Sequence, residues 1–154
     1  MHNETKEILE AVQSGRLSVE DALLKLKTQP FADIGYAKVD LHRKIRQGAA
    51  EVIYGAGKTP EQILGIAETL CANGQTTILI TRLSEEKAEQ IQSVRPLSYH
   101  ADARIGIVGA PPRPDGIGTV LVATGGTSDI PVAEEAALTA EVLGNQVTRL
   151  YDVG

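Results

Sequence analysis

The stretch from Gly118 to Gly144 restricts the possible folds more than any other. Thr119 to Ala123 is a short apolar run with two valines, the composition of a strand buried on both faces of a parallel sheet. Thr124 to Asp129 follows as a loop of small and polar residues. Pro131 then stands at a first helical position with Asp129 upstream as a cap, and an alanine-rich run continues until Gly144 stops it. A strand, a glycine loop and a helix N-terminus in this order direct the loop amides and the first-turn amides into one space of partial positive charge, where an anion is stabilised. Gly125 and Gly126 let a ligand approach the backbone, Thr127 and Ser128 add hydroxyl donors, and Asp129 adds an acceptor suited to a sugar hydroxyl. The set fits a phosphate-bearing nucleotide; an ordinary strand-to-helix turn has the same local pattern.

Composition sets the architecture around this unit. With no Trp, one Phe and four Tyr in 154 residues, the core is built from Ala, Val, Ile and Leu, which points to an α/β fold with layered parallel sheet rather than a β-sandwich. A balance of 15 basic against 20 acidic residues, net charge −5, argues against nucleic acid as a partner, and there is no aromatic platform for bases. No apolar run approaches the roughly 20 residues of a membrane span, and the N-terminus lacks a signal-peptide core. Cys71, the only cysteine, lies among Ile63, Leu64, Ile66, Ala67 and Leu70 and reads as a buried small hydrophobe. A single cysteine forms no intrachain disulfide, which fits a reducing cytoplasm.

In chain order, Thr5–Gln13 and Val19–Lys27 have apolar residues at helical spacing, separated by Ser14-Gly15, and Ser18 with Asp21 resembles a capping box. This helical hairpin, residues 1–29, contains no motif with chemistry; packing on a partner subunit or on the rest of the chain is its expected role. Pro30 and Gly35 bracket a break. A small α/β domain over residues 36–115 follows: strands at Glu51–Tyr54 and Thr76–Thr81, a helix at Pro60–Ala72 capped by Thr59, another capped by Ser84 and running to Gln92, and short strands near Leu97–His100 and Arg104–Val108. Ala110 to Gly116 is a proline-rich linker, expected to be stiff and extended. Residues 117–154 hold the opening unit plus a second parallel strand from Gln146, the first βαβ unit of a doubly wound, flavodoxin-like or Rossmann-like sheet and hence an incomplete nucleotide-binding domain.

Two further groups carry candidate chemistry. Gly55-Ala56-Gly57-Lys58-Thr59 joins a strand to a helix as a P-loop does, but that pattern needs glycine where Val52 stands. What remains is a Gly-x-Gly turn with Lys58, a second anion-friendly point. Arg43 and Arg46 share one face if helical, and with Lys58 and Arg82 they form a candidate clamp for diphosphate or carboxylate, the alternative being a solvated basic face. His2, His42 and His100 have no ligand spacing that suggests zinc.

Asp40-x-x-Arg43-x-x-Arg46-x-Gly48-x-x-Glu51-Val-Ile-Tyr54-Gly55-Ala-Gly57-Lys58-Thr59, then Thr81-Arg82, Tyr99-His100-Ala101, Thr124 to Glu135 and Tyr151-Asp152-Val-Gly154 resemble the LarB family. These are pyridinium-3,5-biscarboxylic acid mononucleotide synthases of nickel-pincer cofactor biosynthesis, which serves lactate racemase, and the resemblance runs from Glu7 onward. Their C-terminal domain is similar to PurE, the aminoimidazole ribonucleotide carboxylase or mutase, whose phosphate loop reads Gly-Ser-x-Ser-Asp; here Gly126 replaces the first serine. The resemblance implies carboxylation of the pyridinium ring of nicotinic acid adenine dinucleotide with CO2 as co-substrate, and hydrolysis of the phosphoanhydride to release AMP. For this chemistry the residues read above supply the expected substrate contacts: Gly125, Gly126, Thr127, Ser128, Asp129, Arg43, Arg46, Gly55, Gly57, Lys58 and Arg82. It leaves a need for Mg2+ open, and it implies a homo-oligomer. The family's cysteine nucleophile belongs to a region beyond Gly154, Cys71 does not match it, and the 154-residue chain is expected to be inactive alone. A non-catalytic nucleotide-binding or oligomerisation fragment and a PurE-type carboxylase are the competing expectations.

Overall fold

The computed structural model describes residues 2–28, 31–40 and 51–154. Two helices open the chain, α1 (His2–Gln13) and α2 (Val19–Thr28). Ser18 starts the second: its hydroxyl oxygen accepts from the Asp21 amide at 3.0 Å. A hairpin of three-residue strands, β1 (Phe31–Asp33) and β2 (Lys38–Asp40), occupies the span expected to be only a break. Each strand is too short for an alternating pattern to show in the sequence, and the turn is held by the Gly35 amide on the Asp33 carboxylate at 2.9 Å.

The central sheet follows: β3 (Val52–Tyr54), β4 (Ile78–Thr81), β5 (Ser98–His100) and β6 (Ile105–Val108), in the spatial order β3-β4-β6-β5. Only β3 and β4 are parallel; β6 runs against both β4 and β5, so the sheet is mixed rather than parallel throughout. Helix α3 (Pro60–Ala72) provides the crossover and α4 (Glu85–Gln92) joins it on the same face. Ile63, Ile66, Leu70, Ile91, Ile78 and Ile80 form that core with Val39 from the hairpin. Ile78 to Ile80 of β4 and all of β6 are apolar or glycine and buried because both faces are covered. Cys71 packs against this core half-buried, not fully buried, with the Arg95 guanidinium donating to its Sγ at 2.9 Å.

The other face of the sheet is covered by α5 (Ile130–Val142). Leu138 and Val142 of this helix pack with Leu79, Ala103, Ile105 and Ile107. On its far side α5 meets a second, two-stranded parallel sheet, β7 (Thr119–Ala123) with β8 (Gln146–Leu150). A helix held between two sheets must be apolar around most of its circumference, and Ile130-Pro-Val-Ala-Glu-Glu-Ala-Ala-Leu-Thr-Ala-Glu-Val meets that need with small residues. Gly144 ends it in the left-handed region at φ +85°, where a Cβ would also lie 2.8 Å from Asp115 Oδ1. The amides of Asp115 and Gly116 donate to the Gly144 carbonyl, so the proline linker is pinned at its end.

Register assigns the two faces of β7–β8. Val120 pairs with Val147 and Val122 with Arg149, and Arg149 reaches α5, so this is the helix face. Leu121 with Thr148 and Ala123 with Leu150 form the opposite face, where Leu121 is 59% and Leu150 45% exposed. The expectation of a strand buried on both faces is therefore corrected: β7 is parallel, but α5 covers one side alone.

Arg149 fastens this unit. Its guanidinium donates to both Glu141 carboxylate oxygens, at 2.5 and 3.0 Å, and to Glu134 at 3.0 Å. The Tyr151 hydroxyl is buried beside them without hydrogen-bond geometry; burial, then the Glu134 carboxylate, raises its pKa. The hydrogen bonds from Arg149 hold the Glu141 carboxyl below its ordinary value of 4.5. A carboxylate depressed in the folded state contributes stability that is complete above its unfolded pKa and is lost as pH falls through the folded value. The urea midpoint is thus expected to drop as pH is lowered below about 4.5, and Glu141→Gln should flatten that acid limb. An equally steep acid limb in the variant would remove Glu141 as its source.

Candidate functional site

The candidate loops meet at one end of the molecule. β3 and β4 are parallel, so the Gly55–Thr59 turn and Arg82 both leave the carboxyl edge of the sheet, where the Gly55 amide donates to the Thr81 carbonyl at 2.8 Å. β6 runs oppositely and starts at the same edge; the Leu83 amide donates to Arg104 O at 2.8 Å. Arg82 and Arg104 both adopt left-handed φ, 54° and 53°, an unusual pair of non-glycine residues at adjacent positions on this edge. The Arg82 guanidinium lies 3.3 Å from the Glu135 carboxylate, near the start of α5. Glu135 is about 9 Å along the helix from Asp129. The glycine loop therefore belongs to the same end as the Gly55 turn, with Arg82 between them.

The two helix starts differ in what they leave free. At α3, Thr59 Oγ1 accepts from the Gln62 amide while Gln62 Oε1 accepts from the Thr59 amide, a complete capping box. The Glu61 carboxylate takes its own backbone N–H and the Thr59 hydroxyl, which lower its pKa. Pro60 has no amide to offer. These first-turn donors are satisfied from within, and an incoming anion would have to displace the protein's own acceptors.

At α5 the reverse holds. A single 3₁₀ turn, Thr127–Asp129, precedes the helix; the expected Asp129 cap is corrected, because neither Gly126 nor the exposed Asp129 makes a side-chain cap. The Asp129 amide donates to Gly126 O at 3.3 Å and the Ile130 amide to Thr127 O. Among the described residues the amides of Gly125, Gly126, Thr127 and Ser128 have no acceptor, nor do the Thr127 and Ser128 hydroxyls have a partner. Those two side chains and Asp129 are exposed. Consecutive free amides at a helix start form an anion-binding concavity.

The loop is nonetheless held firmly at its base. Thr124 is 8% exposed; its amide donates to Leu150 O, and its hydroxyl accepts the Asp152 amide at 3.2 Å. Val153 and Gly154 donate to Thr124 O and Gly125 O at 3.1 and 3.0 Å, so the segment after β8 lines the loop. Asp152 is left-handed at φ 58° and exposed beside it. Asp152 and Glu135 were absent from the sequence-level candidates. Both lie in segments that carry the family resemblance, Thr124 to Glu135 and Tyr151 to Gly154, but by itself Glu135 looks like an ordinary solvated helix residue.

Of the sequence candidates, the structure brings Gly125, Gly126, Thr127, Ser128 and Asp129 into one loop, sets Arg82 on the edge facing α5, and places Gly55, Gly57 and Lys58 in the neighbouring turn. Arg43 and Arg46 lie outside the described residues. Cys71 is roughly 18 Å along α3 from Thr59, away from this edge. Among the described residues no group of three or more His, Cys, Asp or Glu could hold a metal ion, and no helix is long and apolar enough to cross a membrane.

Residues 31–110 match the model of the LarB/PurE-like N-terminal domain. An uncharacterized protein of Methanocaldococcus jannaschii is 30% identical over 161 aligned residues, which take in 100% of this chain and 63% of that protein. The chain thus spans less than two thirds of the length of the curated relative it matches.

Proposed function

The chain belongs to the family of the LarB/PurE-like N-terminal domain, a relationship of carboxylase type, and on that premise we propose that it holds an anionic pyridinium dinucleotide for carboxylation. The substrate proposed is nicotinic acid adenine dinucleotide, carboxylated on its pyridinium ring by CO2 with hydrolysis of the phosphoanhydride to release AMP. The observation that carries this reading is the run of four uncommitted amides, Gly125 to Ser128, at the head of α5. Their role is to hold a phosphate, with the Thr127 and Ser128 hydroxyls as added donors. Asp129 accepts from a ribose hydroxyl. Arg82 and Lys58 offset the charge of a diphosphate or carboxylate, which matters because the reaction adds a carboxylate to a substrate already anionic.

Cys71 has no part in this scheme, because it packs against the core far along α3 with Arg95 on its sulfur. In this scheme the residues of this chain bind and orient the substrate.

Calorimetric titration of the chain with nicotinic acid adenine dinucleotide and with inorganic phosphate tests the reading. Saturable binding of the dinucleotide is expected, weakened about tenfold or more by Ser128→Ala, since a hydrogen bond to a charged group contributes about 1.5–3 kcal/mol. Unchanged affinity in Ser128→Ala would remove the loop from the site. Light scattering in the same samples checks a second proposal, self-association through the bare face of β7–β8, which carries Leu121 and Leu150 exposed and no charged residue among its paired positions.

A further inference from the structure

The turn Gly55–Lys58 lies beside a depression of about 360 Å³ lined by Ala56, Gly57, Lys58, Glu86, Lys87 and Gln90 among others. Its first feature is a hydrogen bond from the Lys58 amide to Gly55 O at 3.3 Å, which makes it a β-turn with Ala56 and Gly57 at the centre. The second is an unexpected cation. Lys87, in the first turn of α4, donates its ammonium to Gly55 O at 3.1 Å and to Ala56 O at 3.3 Å.

Peptide planarity turns that contact into an orientation. In a trans peptide the N–H points opposite to the C=O of the same plane. With the carbonyls of Gly55 and Ala56 both drawn onto one ammonium, the amides of Ala56 and Gly57 must face away from Lys87, side by side. Among the described residues neither amide has an acceptor, and the Lys58 ammonium has none either. The glycine at position 57 is not required by the fold: its φ is not left-handed, and a Cβ there would meet nothing within 4 Å. The helix behind the turn contributes no donors, since its capping box is closed.

We propose that the Gly55–Lys58 turn is a second anion contact, taking a carboxylate or phosphate on the amides of Ala56 and Gly57 and on Lys58, and that Lys87 is its positioning residue. The inference rests on the reading that the chain binds an anionic nucleotide, and it adds a specificity rule. A ligand with two anionic groups engages both the Gly125–Ser128 loop and this turn, while a ligand with one engages them independently. Lys87 does not touch the ligand through the amides' side of the turn; it fixes the direction of the donors. Glu86 on the rim, with Lys87 already engaged by carbonyls, keeps the depression from being a general polyanion site.

Backbone amide NMR of the whole chain, titrated with inorganic phosphate, separates the parts. The expected result is movement of the Ala56 and Gly57 amide signals as well as those of Gly125 to Ser128. Lys87→Met should weaken the first response at least about fivefold and leave the second unchanged, and Lys87→Arg, which keeps two or more donors for the carbonyls, should restore most of it. A dispersed spectrum elsewhere confirms that the variant is folded. Movement at Gly125 to Ser128 with none at Ala56 and Gly57 would overturn the second contact and spare the first reading. Equal responses in Lys87→Met and the natural chain would overturn the role of Lys87. Silence at both places would overturn both.

Discussion

Leu138→Ala is expected to destabilise the protein by about 2–5 kcal/mol, the range for truncating a buried leucine whose surroundings relax only in part. Leu138 is 5% exposed and lies where three layers meet: the central sheet through Leu79, Ile105 and Ile107, the helix itself, and β7–β8 behind it. The void would open between α5 and the central sheet, because Ala133 and Ala137 on the same helix are too small to fill it. Urea unfolding should show a lower midpoint with an unchanged slope. A loss under about 1 kcal/mol would mean that α5 is not clamped by the core on its sheet side. The substitution also tests the route from core to site. α5 carries the loop Gly125–Asp129 at its head, and Glu135, a few residues on, is tied to Arg82. Loosening the helix should therefore weaken phosphate binding even at temperatures where the variant is fully folded.

Local signals wrote most of this architecture into the sequence. Thr59 before Pro60 and Gln62 is a capping box, and Ser84 and Gly144 mark a start and a stop, so α3, α4 and α5 could be bounded from short windows. The parallel pairing of β7 with β8 followed from one crossover helix between two short strand segments. Strand direction elsewhere did not, because an apolar run such as Ile105–Val108 reads the same for either orientation; only the short connection from β5 forces the antiparallel return. The exposure of β7 was illegible for a related reason: composition reports what a strand needs, not which neighbours cover it. The contacts that aim the site were hidden altogether. Lys87 reaches carbonyls 31 and 32 residues away, and Glu135 finds Arg82 across a layer boundary, distances at which periodicity carries no information. The head of α5 was legible in part: Gly-Gly-Thr-Ser-Asp announces a loop whose amides face an anion, but the Asp129 cap that the sequence suggests is not made in the structure.

Gly126→Leu is expected to abolish measurable phosphate binding at the Gly125–Ser128 loop, read from the amide signals of that loop, while leaving the fold intact. The two effects are separable because of where the glycine sits. Gly126 has φ −140°, extended backbone open to any residue, and a Cβ built there meets nothing within 4 Å. The same is true of Gly125 as to space, whereas Gly144 and Gly109 are left-handed and crowded. No demand of the chain itself accounts for small residues at 125 and 126. Filling the space with a branched side chain should leave the urea midpoint unchanged or raise it slightly, since restricting the unfolded chain at a compatible position contributes about 0.4–1 kcal/mol. It should also cover the amides of Gly126 and Thr127. Losing two hydrogen bonds to a phosphate, each about 1.5–3 kcal/mol, lowers affinity by roughly a hundredfold or more. Gly126→Ser, the residue that PurE-like loops carry at this place, adds a hydroxyl donor instead of bulk and should retain binding. If Gly126→Leu bound phosphate as the natural chain does, the concavity at the head of α5 would not be where the anion rests, however free its amides. If instead it unfolded the protein, the open space above the loop would have been needed by the chain and not by a ligand.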